Sequence, residues 1–262
     1  MRRAEWAYPS PPVHREVLSA LPDEPTGRQP LLFVHDLAHG AWCFAEHWLD
    51  AAAVRGYPAY AVSLRGHGGS GGSRRLGRTT LRDYVHDVLQ TIVELPEPPV
   101  ILGHSMGGLV TQLVLERYPA RAGVLLAPVP VDGLLGQLLR RLPSDPVNVV
   151  GATAGRTLRL SAEDLFEGLD AATAEAYVDR LGRESSVAQW QLLVRRPLGP
   201  VRAPVLVVGT PDDRLIPVAA VEATAERFGT TPVWFPGVGH DVMLDRGQER
   251  VLDTVLDWVD EH

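Results

Sequence analysis

Lysine is absent from the 262-residue chain: all 25 basic residues are arginine. That excludes every mechanism built on a lysine amine, Schiff-base chemistry included. Cysteine occurs once, as Cys43, so no intramolecular disulfide can form and folding requires no oxidising compartment. Asparagine is found only at position 148 and isoleucine only at 92, 101 and 216, a bias that suggests a GC-rich genome. Long apolar runs are missing too. The longest segment without Asp, Glu, Arg or Lys, Pro98 to Leu115, is interrupted by Gly103, His104, Ser105, Gly107, Gly108, Thr111 and Gln112, which makes a poor membrane span. The basic start Met1-Arg2-Arg3 leads into Tyr8-Pro9-Ser10-Pro11-Pro12 rather than the apolar stretch of a signal peptide. A soluble, cytoplasmic protein is expected. With a net charge of −7 and no basic run longer than two residues, nucleic acid is not an expected partner, and a neutral or weakly charged small molecule is.

What is present is an ordinary globular composition, 45% hydrophobic and 22% charged, in a length that suits one large domain or two average ones. Short aliphatic runs alternate with helical patterns, which predicts an α/β fold: a mostly parallel central sheet with helices on both faces. The runs are Leu31–Val34, Ala59–Val62, Val100–Leu102, Val124–Leu126, Val205–Val208 and Thr231–Phe235. Apolar residues at Leu81, Tyr84, Val85, Val88, Leu89 and Ile92 repeat with helical spacing behind a capping Thr79 or Thr80, and Val251, Leu252, Val255, Leu256 and Val259 do so at the C-terminal end. From about Pro128 to Ala203 no strand is predicted. An apolar stripe at Leu134, Leu135, Leu138, Leu139 and Leu142 and a helix over Tyr177–Leu193 read instead as a helical cap, residues 128–203, inserted before the penultimate predicted strand into a core of residues 1–127 and 204–262.

The strongest chemical signal is Gly103-His104-Ser105-Met106-Gly107, placed directly after one predicted strand and opening a predicted helix. This is the pattern of a nucleophile elbow, in which a tight turn lifts a serine above the sheet. The helix N-terminus then aims backbone N–H groups at developing negative charge. A serine hydroxyl needs a base and the base an orienting acid. For this elbow they should follow in the order Ser, Asp or Glu, His, each on a loop after a later strand. Asp212 and Asp213 follow the run ending at Val208, and His240 follows the run ending at Phe235.

With these pieces the chain resembles the α/β-hydrolase superfamily over nearly its whole length. Phe33-Val34-His35, His39-Gly40-Ala41-Trp42-Cys43, Leu64-Arg65-Gly66-His67-Gly68, the acidic loop ending in Pro217 and Gly239-His240-Asp241-Val242-Met243-Leu244 complete the match. Among its members the chain looks most like lidded serine esterases of the monoacylglycerol lipase or lysophospholipase type. The resemblance implies Ser105 as nucleophile, His240 as base and Asp213, four residues before Pro217, as the acid. It also implies an oxyanion hole from the N–H groups of Met106 and Leu37, and no cofactor.

One position departs from the pattern: Asp36 stands where the family carries glycine after the first histidine. Asp tolerates left-handed backbone better than most residues, but a carboxylate in an oxyanion hole opposes the charge that catalysis must stabilise. Asp36 is therefore expected to turn away, toward neighbouring backbone or Arg65. No metal site is expected. His35 and His39 are spaced i, i+4 but lie on a loop, and His67 and His104 are assigned structural roles. The Gly66–Gly72 stretch lacks phosphate-loop spacing. Trp190 and Leu193 are offered as pocket residues, with core packing the alternative. The expected reaction is hydrolysis of carboxylic esters with small to medium acyl chains through an acyl-enzyme. The alternatives are a thioesterase acting on acyl-carrier or coenzyme A thioesters, helped by a basic rim of Arg140, Arg141, Arg195 and Arg196, or a non-hydrolytic lyase, cyclase or binding protein.

Overall fold

The computed structural model describes residues 10–136, 143, 145–153 and 156–262. Seven strands form one sheet: β1 (Val17–Ala20), β2 (Leu31–Val34), β3 (Ala59–Val62), β4 (Val100–His104), β5 (Gly123–Leu126), β6 (Val205–Gly209) and β7 (Val233–Trp234), in the order β1-β3-β2-β4-β5-β6-β7. All neighbours run parallel except β1, which pairs antiparallel with β3 at the edge. A parallel sheet covered on both faces requires strands that are apolar throughout. Accordingly β2, β4, β5 and β6 are buried along their whole length.

The helices are α1 (Trp42–Ala45), α2 (Trp48–Val54), α3 (Leu81–Glu94), α4 (Met106–Leu115), α5 (Pro146–Thr153), α6 (Ala162–Leu165), α7 (Ala171–Val178), α8 (Ser186–Leu193), α9 (Val218–Arg227) and α10 (Gln248–Glu261). Thr80 caps α3 in a reciprocal capping box with Asp83, which satisfies two of the orphan donors at the helix start. Its Leu81, Tyr84, Val85, Val88 and Ile92 face the core, as do Val251, Leu252, Val255, Leu256 and Val259 of α10. Each such side chain contributes roughly 1.5–3 kcal/mol by leaving water.

Between β5 and β6 the described residues carry α5 to α8 and no strand. The expected continuous helix over Tyr177–Leu193 is two helices, α7 and α8, the second capped by Ser185. The break has a cause in the tertiary structure: the connecting residues turn inward, Gly182 N–H donates to Ala38 O at 2.7 Å, and Glu184 is buried at 5% exposure. Of the leucine stripe, Leu134 packs against the core and Leu135 is exposed, while Leu138, Leu139 and Leu142 lie outside the described residues. Among the described residues no helix is long and apolar enough to cross a membrane.

Candidate active site

Ser105 sits between β4 and α4 with φ 50° and ψ −112°, a backbone conformation that costs a non-glycine residue on the order of 1–3 kcal/mol. The turn is held from both sides: Ser105 N–H donates to Leu126 O at 2.9 Å and Val129 N–H donates to Ser105 O at 3.0 Å. It also demands close backbone approach. A Cβ at Gly107 would stand 2.2 Å from Val34 O, and one at Gly103 would stand 2.2 Å from Gly107 O. Those two glycines let α4 start directly over β2 and β4 with Ser105 at its tip.

His240 is fully buried, and its Nδ1 lies 2.7 Å from Asp213 Oδ2. The other oxygen of Asp213 accepts from Leu215 N–H at 2.7 Å and Ile216 N–H at 2.9 Å, so the carboxylate is pinned by its own loop. Asp212, the other acid of that loop, instead accepts from Gly237 N–H at 2.7 Å. The structure thus brings Asp213, and not Asp212, to the imidazole. Burial by itself would lower the pKa of His240, but the charge and hydrogen bond of Asp213, together with Asp36 on the far side of the ring, outweigh it and raise it well above the usual histidine value.

Asp36 contradicts its expectation. Instead of turning away, its Oδ1 accepts the Met106 N–H at 3.0 Å, and its Oδ2 stands 3.4 Å from His240 Nε2 as an ion pair without hydrogen-bond geometry. Arg65 is not its partner, because that guanidinium forms a bidentate pair with the buried Asp87. The physical reason is local. The Met106 N–H is an unpaired donor at a helix start, and His240 presents the nearest positive charge. Burial alone would raise the pKa of Asp36, but His240, then His104 and His39, hold it well below the ordinary carboxylate range. The carboxylate therefore occupies one of the two expected oxyanion donors, while Leu37, the other, is carried on the adjacent loop position.

Neighbouring groups fix the protonation of the surrounding histidines. His104 Nε2–H donates to His240 O at 2.8 Å, leaving Nδ1 without a partner, and burial with the neighbouring His240 lowers its pKa to about 4. His35 Nε2 accepts from Leu64 N–H at 2.9 Å, so it is not available to pair with His39 on a metal. Both ring nitrogens of His39 face acceptors, Leu37 O at 2.9 Å and Asp241 Oδ2 at 3.0 Å.

Sequence reasoning missed Glu184. From the connection between α7 and α8 its carboxylate accepts from Ala38 N–H at 3.2 Å, Tyr84 Oη–H at 2.5 Å and its neighbour Ser185 N–H at 2.5 Å, and it faces His67 Nε2 at 3.2 Å. Because Gly182 also takes the carbonyl of Ala38, this connection grips both backbone groups of a residue with φ 62°, next to Leu37. No pattern in the sequence announces such a contact, since the partners lie 146 residues apart. Asp245 was missed as well; it binds the N–H groups of Glu167, Gly168 and Gly239, joining the same stretch to the His240 loop.

A family model described as the alpha/beta hydrolase family matches residues 31–254. Monoacylglycerol lipase of Mycolicibacterium smegmatis is 31% identical over 257 residues, covering 86% of this chain and 87% of the relative. Methylesterase 10 of Arabidopsis thaliana is 36% identical over 97 residues, 36% of this chain and 34% of that protein. Among solved structures, a soluble variant of monoglyceride lipase from Saccharomyces cerevisiae superposes with TM-score 0.77 at 14% identity, covering 97% and 94% of the two chains. An esterase from Exiguobacterium antarcticum does so with TM-score 0.73 at 18% identity, covering 95% and 96%.

Proposed function

The chain belongs to the alpha/beta hydrolase family and is of its esterase/lipase type, and from that premise we propose that it is a serine esterase for small to medium acyl esters. The observation that carries the reading is the 2.7 Å contact between His240 Nδ1 and Asp213 Oδ2, beside a serine in an elbow turn. In this reading Ser105 Oγ attacks the ester carbonyl and His240 Nε2 takes its proton. The proton passes to the departing alcohol, and water then cleaves the acyl-enzyme by the same route. Asp213 holds the imidazole in the tautomer that leaves Nε2 free to act.

The oxyanion would bind Met106 N–H and Leu37 N–H, and Asp36 must leave Met106 N–H first. That movement has a second effect, since it takes away one of the two carboxylates facing His240 and returns Nε2 to the role of base. Asp36 is thus a brake on turnover in the resting site. Residues 128–203 are the proposed cap, and its Leu160, Leu165, Phe166 and Leu192 are buried in the hydrophobic core. Trp190 is 44% exposed and is not assigned to an acyl pocket.

The Asp36 contact with Met106 N–H is the observation that would suit a non-hydrolytic role, and the esterase reading requires that contact to open; nothing among the described residues points to a thioesterase. Of the suggested basic rim, Arg140 and Arg141 lie outside the described residues. Arg195 pairs with Asp132 at 3.0 Å and Arg196 is half-buried against Gln191 O. Fluorophosphonate labelling followed by peptide mapping tests the proposal: wild type is modified at Ser105 and Ser105→Ala is not. Absence of adduct in wild type, or an adduct on another residue, overturns it.

A further inference from the structure

Three buried ligand atoms around the candidate active site converge without satisfying one another. Asp36 Oδ2, His104 Nδ1 and His240 Nε2 all lie within 4.8 Å of each other, all three residues are fully buried, and none of the three atoms has a hydrogen-bond partner among the described residues. Other buried polar atoms also lack a partner, but these three are set apart by converging on one point. A proton on His240 Nε2 accounts for the facing Asp36 oxygen but leaves the lone pair of His104 Nδ1 unmatched, because that ring's proton is already committed to His240 O. A metal ion between them would satisfy all three at once.

We infer that Asp36, His104 and His240 form a binding site for a divalent transition-metal ion of the Zn²⁺ type. Two imidazoles and one carboxylate are a donor set such ions select, His240 releasing its Nε2 proton to solvent as the ion binds. The support behind the donors matches as well. A histidine ligand characteristically donates its other ring N–H to a carboxylate or a backbone carbonyl, which fixes the tautomer and aims the free lone pair. His240 does this to Asp213 at 2.7 Å and His104 does it to the His240 carbonyl at 2.8 Å. The 3.4 Å between Asp36 Oδ2 and His240 Nε2 is close to the edge of a tetrahedron with bonds of about 2.1 Å. His104 Nδ1 lies within 4.8 Å of both other donor atoms. With three protein donors the fourth position stays open. Asp36, whose other oxygen accepts the Met106 N–H, supplies the carboxylate. It rests on the proposed esterase reading only in its consequence: an ion there takes the Nε2 lone pair that serves as the base, and Zn²⁺ then suppresses ester turnover.

The test is isothermal titration of the EDTA-treated chain with ZnCl₂, with Co²⁺ as a second probe whose visible absorption reports a low-coordinate nitrogen and oxygen site. One ion binds per chain, Co²⁺ develops that absorption, and His104→Gln and Asp36→Gly each weaken binding at least tenfold, while His262→Gln at the exposed C-terminal end leaves it unchanged. Circular dichroism checks that the variants fold. Failure of wild type to bind Zn²⁺ at one equivalent overturns the inference with no variant needed, and so does binding that only His262→Gln weakens. Labelling of Ser105 in EDTA is scored separately: loss of labelling with metal binding intact refutes the esterase and keeps the site, and the converse refutes the site and keeps the esterase.

Discussion

The Asp36 carboxylate accepts the Met106 N–H at 3.0 Å, so a side chain of the protein occupies a donor that the proposed mechanism needs for an ester's developing oxyanion. A single oxyanion donor is typically worth roughly 2.7–4 kcal/mol of barrier, a factor of about 10²–10³. Asp36→Gly frees that donor and removes the carboxylate facing His240. Its kcat/KM for p-nitrophenyl butyrate, measured in EDTA, is expected to rise at least tenfold. A fall, or no change, would show that Asp36 does not restrain turnover.

The two acids of the β6 loop are separable. Asp213→Asn leaves a hydrogen-bonding group of the same size but disturbs the tautomer of His240, and turnover is expected to drop by about 10⁴. Asp212→Asn touches only the Gly237 turn and should stay within a few-fold of wild type. Initial rates of the two purified variants decide; equal losses would contradict the assignment.

His39 makes stability depend on pH. Burial lowers its pKa, but the Asp241 carboxylate overrides this and raises it from 6.5 to about 8. A raised folded-state pKa means that the stabilisation is fully present below pH 6.5 and is lost as pH climbs through about 8. The loss is on the order of 2 kcal/mol. Urea unfolding of wild type and His39→Gln at pH 6 and pH 9 checks it, and the gap between the two proteins should shrink at the higher pH.

Glu184 ties the connection between α7 and α8 to the core. Removing one partner of a buried charged network costs about 3–5 kcal/mol because the remaining groups are stranded, and Glu184→Ala strands Ala38 N–H, Tyr84 Oη and His67. Its urea midpoint should fall accordingly, with Glu184→Gln recovering part of the loss. A midpoint unchanged in Glu184→Ala would show that the network does not hold the fold.

Where periodicity and turn chemistry are local, the sequence is legible. The parallel strands appear as apolar runs, α3 and α10 as stripes behind recognisable starts, and the elbow as glycines that a Cβ would drive into Val34 O and Gly107 O. β1 was missed because Val17–Ala20 is a half-exposed edge strand whose only reason to extend is pairing with β3. The helix predicted over Tyr177–Leu193 is broken between α7 and α8, where Gly182 and Glu184 turn in to Ala38, far away in sequence, and Ser185 caps the new start. Asp36 was misjudged for a similar reason. Its direction depends on a free N–H at Met106 and on the charge of His240, and neither is a neighbour along the chain.

The central claim is tested most directly by turnover of a p-nitrophenyl ester series, acetate to palmitate, by wild type and Ser105→Ala in EDTA. Wild type is expected to hydrolyse the esters, short and medium chains fastest, and Ser105→Ala to lose at least about 10³-fold of that rate. Equal rates in the two proteins, or no turnover of any ester by either wild type or Asp36→Gly, would contradict it.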